Sequence, residues 1–271
     1  METRNQAHTR EDARQVMWID ADRVLYAGLL GRPSMRTLGA HVTYVGLDAP
    51  VELSLEDGSW RRLLLGTVGP YVSHQVRCEA RRVGVILVEP ELVSTDELPA
   101  WPTDGHAAAA SAFVARIRDA CGRLGVASPA ELKRFDFDVE VFGAPLSHRV
   151  LDPRIKSVVD AIRRDPCGQT SGEAYARSVH LSLSRFVHLF KSEIGVPLRR
   201  YRSWRRARHL LHHATSDSSL VNIALAAGYP DSTHFSHSIR QAFGLTPGDI
   251  LAGSRRLAVH AVGRASLTGR E

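Results

Sequence analysis

From Val16 to Val93 the apolar residues fall in short runs separated by turn residues. The runs VTYVGL (42–47), VELSL (51–55), WRRLLLG (60–66), HQVRCE (74–79) and VGVILVE (83–89) are parted by AP, EDGS, GPY and ARR. Strands this short and this closely spaced predict a β-sandwich or small barrel. Pro99 and Pro102 then stop the sheet, and Thr103 or Asp104 is placed to cap a helix reaching about Leu124. Its apolar residues Phe113, Ile117, Ala120, Cys121 and Leu124 lie on one stripe, which suits either a dimer contact or packing on the chain's own barrel. Between 125 and 150, Phe135, Phe137, Val139 and Val141 alternate with Asp136, Asp138 and Glu140, predicting one more strand or an ordered linker. Pro145 to Pro153 reads as the domain joint.

Beyond Asp152-Pro153 the period becomes helical. Asp152 is a natural N-cap with Pro153 in the first turn, and Ile155, Val158, Val159 and Ile162 make the buried face. Further helices are predicted near 171–179, 182–194, 197–213, 219–227, 231–243 and 247–253. The expected division is residues 1–150, 151–255 and a tail, 256–271.

The two halves differ in charge. Residues 1–150 hold 17 Lys and Arg against 20 Asp and Glu, whereas residues 151–260 hold 16 against 8 and eight of the thirteen histidines. A basic helical domain behind a mildly acidic one is the pattern expected when one domain meets a polyanion. With 271 residues, 44% of them hydrophobic, the chain is long enough for two cores. No apolar run approaches the ~20 residues of a membrane span, and the polar opening METRNQAHTREDAR does not resemble a secretory signal. Cys78, Cys121 and Cys167 suit neither a disulfide framework nor a CxxC metal site, which favours a cytoplasmic location.

The helical half repeats with a period of about 49 residues. Tyr175-Ala176 with His180 matches Ile223-Ala224 with Gly228; Phe186, Phe190, Gly195 and Pro197 match Phe235, Ile239, Gly244 and Pro247. Each copy has a short helix bearing a small alanine, a tight turn, and a second helix opened by Ser182 or Asp231. The alanine permits close helix approach and the aromatic anchors fix the second helix, as a helix-turn-helix requires. The joining helix, about 197–213, carries Arg199, Arg200, Arg202, Arg205, Arg206 and Arg208, a density suited to phosphates. His209, His212 and His213 share a face of it and read as polar surface near DNA, with a metal or pH role as the alternative.

Residues 153–252 resemble the DNA-binding domain of AraC/XylS-family transcription regulators, most specifically in NIALAAGYPDSTHFSHSIRQAFGLTP, which follows the family pattern IAxxxGYxDxxHFSxxxxxxFGxTP. The first unit, YARSVHLSLSRFVHLFKSEIGVPLRRY, follows it less closely, with Tyr175 for the usual leucine and His180 for the usual glycine. The resemblance implies an α+β multidomain chain: a cupin-like sensing and dimerisation domain, then an all-α domain with two helix-turn-helix units. It implies DNA contacts from Leu183, Ser184, Val187 and His188 in one recognition helix and from Ser232, Thr233, Ser236 and His237 in the other. Arg199, Arg202 and Arg206 would touch phosphates, Ser182 and Asp231 would be N-caps, and Phe186, Phe190, Phe235 and Phe243 would be core. The arginine common in the family at the positions of His188 and His237 is histidine here, so bidentate guanine contacts are not expected there. The implied partners are an operator in double-stranded DNA, a small-molecule effector, a second copy of the chain and, for an activator, RNA polymerase; no membrane partner is expected.

Enzyme chemistry finds little support. The strand region offers only His41 and His74, with Glu52 or Glu79 far away, against the histidine-rich cluster of a metal cupin, so these read as surface residues and no metal or cofactor is expected. GxSxG, P-loop and GxGxxG motifs are absent. Cys78, flanked by basic residues, reads as a small core residue rather than an activated thiolate. A constitutive DNA-binding protein whose β domain only dimerises, and a cupin-type enzyme fused to a DNA-binding domain, stay open as alternatives. No residue pattern marks an effector site.

Overall fold

The computed structural model describes residues 15–93 except 32, 57 and 81, residues 107–213, and residues 222, 224, 225, 228, 229, 231–254 and 257–261. The expected cap at Thr103 or Asp104, most of the helix at 219–227 and most of the tail lie outside them.

All five expected strand runs form strands. β1 (Gln15–Ile19), β2 (Arg23–Leu29), β3 (His41–Gly46), β6 (Leu65–Val68) and β8 (Arg82–Val88) belong to a six-stranded sheet in the order β6-β3-β8-β2-β1-β9, with β9 at Leu257–Ala261. β4 (Val51–Ser54), β5 (Trp60–Leu63) and β7 (Gln75–Cys78) make a three-stranded sheet in the order β5-β4-β7. The run WRRLLLG therefore splits at Leu64, where the chain leaves one sheet for the other and the Leu64 carbonyl accepts from Gly46 N at 2.8 Å. β9 was expected to be tail; it runs parallel to β1, Gln15 opposite Leu257 and Ile19 opposite Ala261.

Helix α1 (Ala107–Leu124) lies on the chain's own sheets: Phe113, Val114, Ile117, Ala120, Cys121 and Leu124 share a core with Val16, Trp18, Leu25, Val45 and Ile86. Its apolar stripe is thus consumed internally. The alternating segment after it is not a strand. It forms two short helices, α2 (Pro129–Arg134) and α3 (Phe137–Phe142). The cause is local. Ser128 and Glu131 close a capping box ahead of Pro129, Asp136 accepts from Val139 N at 3.2 Å, and Gly143 ends α3 in the left-handed region at φ 89°. Phe137 and Val141, four apart, are then buried on one side, Phe137 stacking on Trp18 with centroids 5.0 Å apart.

In the helical half α4 (Pro153–Arg164), α5 (Gly172–Ser178), α6 (Leu183–Ile194) and α7 (Leu198–His209) are followed by a 3-10 turn (Leu210–His213), α8 (Ser232–Phe243) and α9 (Pro247–Ser254). The Asp152 cap and the buried set Ile155, Val158, Val159 and Ile162 form as expected.

Candidate nucleic-acid interface

The two repeats agree down to their backbone hydrogen bonds. In the first turn His180 N donates to Arg177 O at 3.1 Å and Leu181 N to Ala176 O at 2.9 Å. In the second, Gly228 N donates to Leu225 O at 2.9 Å and Tyr229 N to Ala224 O at 3.0 Å. His180 and Gly228 both take the left-handed conformation, with φ 57° and 70°. Glycine does so freely; histidine pays a steric cost of about 1 kcal/mol. Ser182 accepts from Arg185 N at 3.4 Å, and Asp231 accepts from Thr233 N and His234 N at 2.8 Å, so the expected N-caps open both second helices. Asp231 also holds His234 Nδ1 at 2.8 Å; these bonds from Thr233, His234 and the ring lower its carboxyl below the usual range.

Phe186, Phe190 and Phe235 are buried, while Phe243 is half-buried against Trp204 with centroids 5.8 Å apart. Burying one face of α6 and of α8 leaves the opposite face outward. Leu183, Ser184, Val187 and His188 are exposed on α6; Ser232, Thr233 and His237 are exposed on α8, with Ser236 half-buried. The repeat aligns Ser184, His188 and Lys191 with Thr233, His237 and Arg240, all exposed. Lys191 and Arg240 were missed in the sequence reading, although the 49-residue register points to both. They put a cation one turn beyond each histidine.

The arginines of α7 do not share one role. Arg199 is exposed. Arg200 lies over the Tyr71 ring, 4.7 Å from its centroid, and donates to Tyr71 O at 3.2 Å. Arg202 donates to Thr170 O at 2.9 Å and to Gly168 O, bracing the loop between α4 and α5. Arg206 is half-buried. Arg205 and Arg208 face the N-terminal half and are buried, so the expectation that the whole cluster serves phosphates fails for these two. Arg205 Nη1 lies 3.3 Å from Glu89 Oε1 and 3.6 Å from Glu91 Oε1, and Arg208 Nε lies 3.3 Å from Glu89 Oε1. Trp204 Nε1 donates to Glu89 Oε2 at 2.8 Å and the Tyr201 hydroxyl to Glu91 at 2.9 Å. Burial pushes the Glu89 carboxyl upward, and the guanidiniums, Arg205 foremost, pull it back. Burial lowers Arg208 to about 10 despite Glu89, still leaving it charged at neutral pH. The signal was present: Tyr201, Trp204, Arg205 and Arg208 follow i, i+3, i+4, i+7 spacing, so two arginines sit on the apolar stripe.

The strand-region histidines are not surface residues, contrary to expectation. His74 is buried; its Nδ1 donates to Val72 O at 2.9 Å, which leaves Nε2 to accept from the Tyr44 hydroxyl at 2.8 Å. Burial lowers both His74 and His41 to about 4. Cys78 is buried with Sγ 3.6 Å from Ala49 O. Among the described residues no group of three His, Cys, Asp or Glu is arranged to hold a metal, and no helix is long and apolar enough to cross a membrane.

The profile of a family described as a helix-turn-helix domain matches residues 175–253, both units and the helix between them. The matched residues agree with the resemblance of this half to the AraC/XylS family. Its sequence is 35% identical over 105 residues to the HTH-type transcriptional activator RhaS of Escherichia fergusonii, covering 38% of this chain and 37% of that one. RhaS of Salmonella arizonae is 40% identical over 84 residues, 30% of each chain. The match therefore spans little more than a third of the curated relatives. ToxT from Vibrio cholerae O395 has the same overall fold at 10% identity, with TM-score 0.53 over 85% of this chain and 96% of that one. The chain thus resembles RhaS in sequence over its helical half and ToxT in overall fold.

Proposed function

We propose that the chain is a sequence-specific DNA-binding transcription regulator, working in the cytoplasm, whose two helix-turn-helix units read successive major-groove segments of one operator. The observation that carries this is the pair of turns with matching backbone hydrogen bonds, each presenting a second helix with a small polar residue, a histidine and a cation in the same outward register. Leu183, Ser184, Val187 and His188 face one groove segment, and Ser232, Thr233, Ser236 and His237 face the next. Histidine offers a single hydrogen bond to a base edge or a charge to a phosphate, a weaker discriminator than a bidentate arginine. Phosphate positioning falls to Arg199, Lys191 and Arg240, with Arg206 flanking them; Arg202 acts through the loop it braces. The N-terminal sheets act as the sensing domain for a small-molecule effector, and the family reading adds a second copy of the chain and, for an activator, RNA polymerase as partners.

Selection of bound fragments from genomic DNA by the purified full chain, followed by footprinting, tests the proposal. The expected result is an enriched motif with two conserved elements and protection of about two helical turns. Binding that is uniform across fragments and vanishes with moderate salt contradicts it.

A further inference from the structure

We infer that the N-terminal domain controls the second helix-turn-helix unit and leaves the first one constitutive. This rests on the DNA-binding reading above and adds which half of the site is regulated. The two units look alike from outside but are built differently inside. The first has a core of its own: Ile155, Val159, Ile162, Phe186, Phe190, Tyr201 and every other buried member of that cluster come from residues 151–201. Its links to the N-terminal half are few and mostly polar: Arg163 pairs with Asp22, Arg200 lies over Tyr71, Tyr71 packs on the edge of the core, and the Tyr201 hydroxyl donates to buried Glu91.

The second unit has no closed core. Ala224, Tyr229, Phe235, Ile239 and Ala242 belong to one continuous cluster with Met17, Ile19, Val42 and Tyr44 of the sheet and Leu38 ahead of β3, bridged by Trp204, Ala207 and Leu210. The described residues of segment 31–39 are moulded to this unit. Thr37 N donates to Gln241 O at 2.8 Å, and the Ser34 hydroxyl donates to Gly244 O. A Cβ on Gly39 would sit 2.3 Å from Trp204 Cγ, and one on Gly31 would sit 2.1 Å from Leu245 Cδ2. Arg36, 5% exposed and bridged to His74 through its backbone, places its guanidinium so that a Cβ on Gly244 would come within 3.0 Å of Nε. Beyond α9 the chain returns to the sheet as β9 on β1, a further attachment of the second unit to the N-terminal domain.

A unit that borrows its core has its order linked to the lender. Whatever changes segment 31–39 or the sheet core changes the population of an ordered α8, and with it occupancy of the second DNA element. The first unit, with its core complete, contributes the same affinity in every state. Sensing then appears as a conditional second contact added to a constant first one.

The full chain and its Gly39→Ala variant, compared by amide hydrogen exchange read on peptides covering 183–194 and 232–243, test this. Wedging Trp204 away is expected to speed exchange in 232–243 at least tenfold while 183–194 stays within twofold. Ser34→Ala, which removes one hydrogen bond to Gly244 without a clash, gives the same localised change on a smaller scale and stands in if Gly39→Ala fails to fold. On DNA, the variant loses affinity for an intact operator but matches the parent on one whose second element is scrambled. Equal acceleration in both helices, or a response confined to 183–194, overturns the inference. If the full chain shows no sequence preference, the DNA-binding reading fails on its own, while the exchange pattern still decides the coupling.

Discussion

His74 shows how a single buried ring carries a pH dependence. Its neutral form is fixed by Val72 O on one nitrogen and the Tyr44 hydroxyl on the other, and burial lowers it to about 4, aided by Arg36 nearby. The unfolded chain binds this proton below about 6.5, the folded chain only near 4, so stability is lost as pH falls through that window. The loss amounts to about 3 kcal/mol for this ring. Thermal unfolding between pH 7.5 and 4.5 should show a midpoint falling more steeply in the parent than in His74→Gln; parallel curves would contradict the assignment. His188 and His237 work at the other surface. If they meet DNA phosphates as cations, operator affinity climbs from pH 8 to 6 at fixed ionic strength. His237→Gln and His188→Gln then flatten that climb; an unchanged slope in both removes them from the electrostatics.

At the scale of elements, the joining helix decides the architecture. The stripe of α7 that closes the first unit through Tyr201 also carries Trp204, Arg205 and Arg208 into the N-terminal half, and Arg199 is left outside. This separates two arginines that look equal in the sequence. Arg199→Ala should reduce the slope of log affinity against log salt by about 0.9. Arg202→Ala should leave the slope unchanged and instead loosen the loop at 168–170, seen as faster exchange there. A slope change for Arg202 alone would reverse the two roles. Caps, turns and helical stripes were legible because each is decided within a few residues: Asp152, Ser182, Asp231 and the 49-residue repeat needed no distant partner. The segment 135–141 misled because alternation over seven residues also puts Phe137 and Val141 on one helical side, and only the caps at Ser128 and Asp136 tell the two apart.

For the whole molecule, what escaped the sequence is the union of its halves. Glu89 meets Trp204, Arg205 and Arg208 across some 115 residues of chain, and nothing near Glu89 announces arginine partners. Nor does the tail announce a strand. A change of pattern at Pro145–Pro153 marks where the fold class changes but says nothing about how much surface the two classes share. The outward faces of α6 and α8 were legible because they are what remains once each helix buries its anchors. Whether they act together on DNA is the central claim, and helical phasing tests it most directly. Two units on one rigid chain reading one face of the duplex require their DNA elements to lie about 10.5 base pairs apart, centre to centre. Affinity of the full chain should fall at least tenfold when five base pairs are inserted between the two elements of its operator, and recover in part when ten are inserted. Affinity indifferent to both insertions would contradict the account.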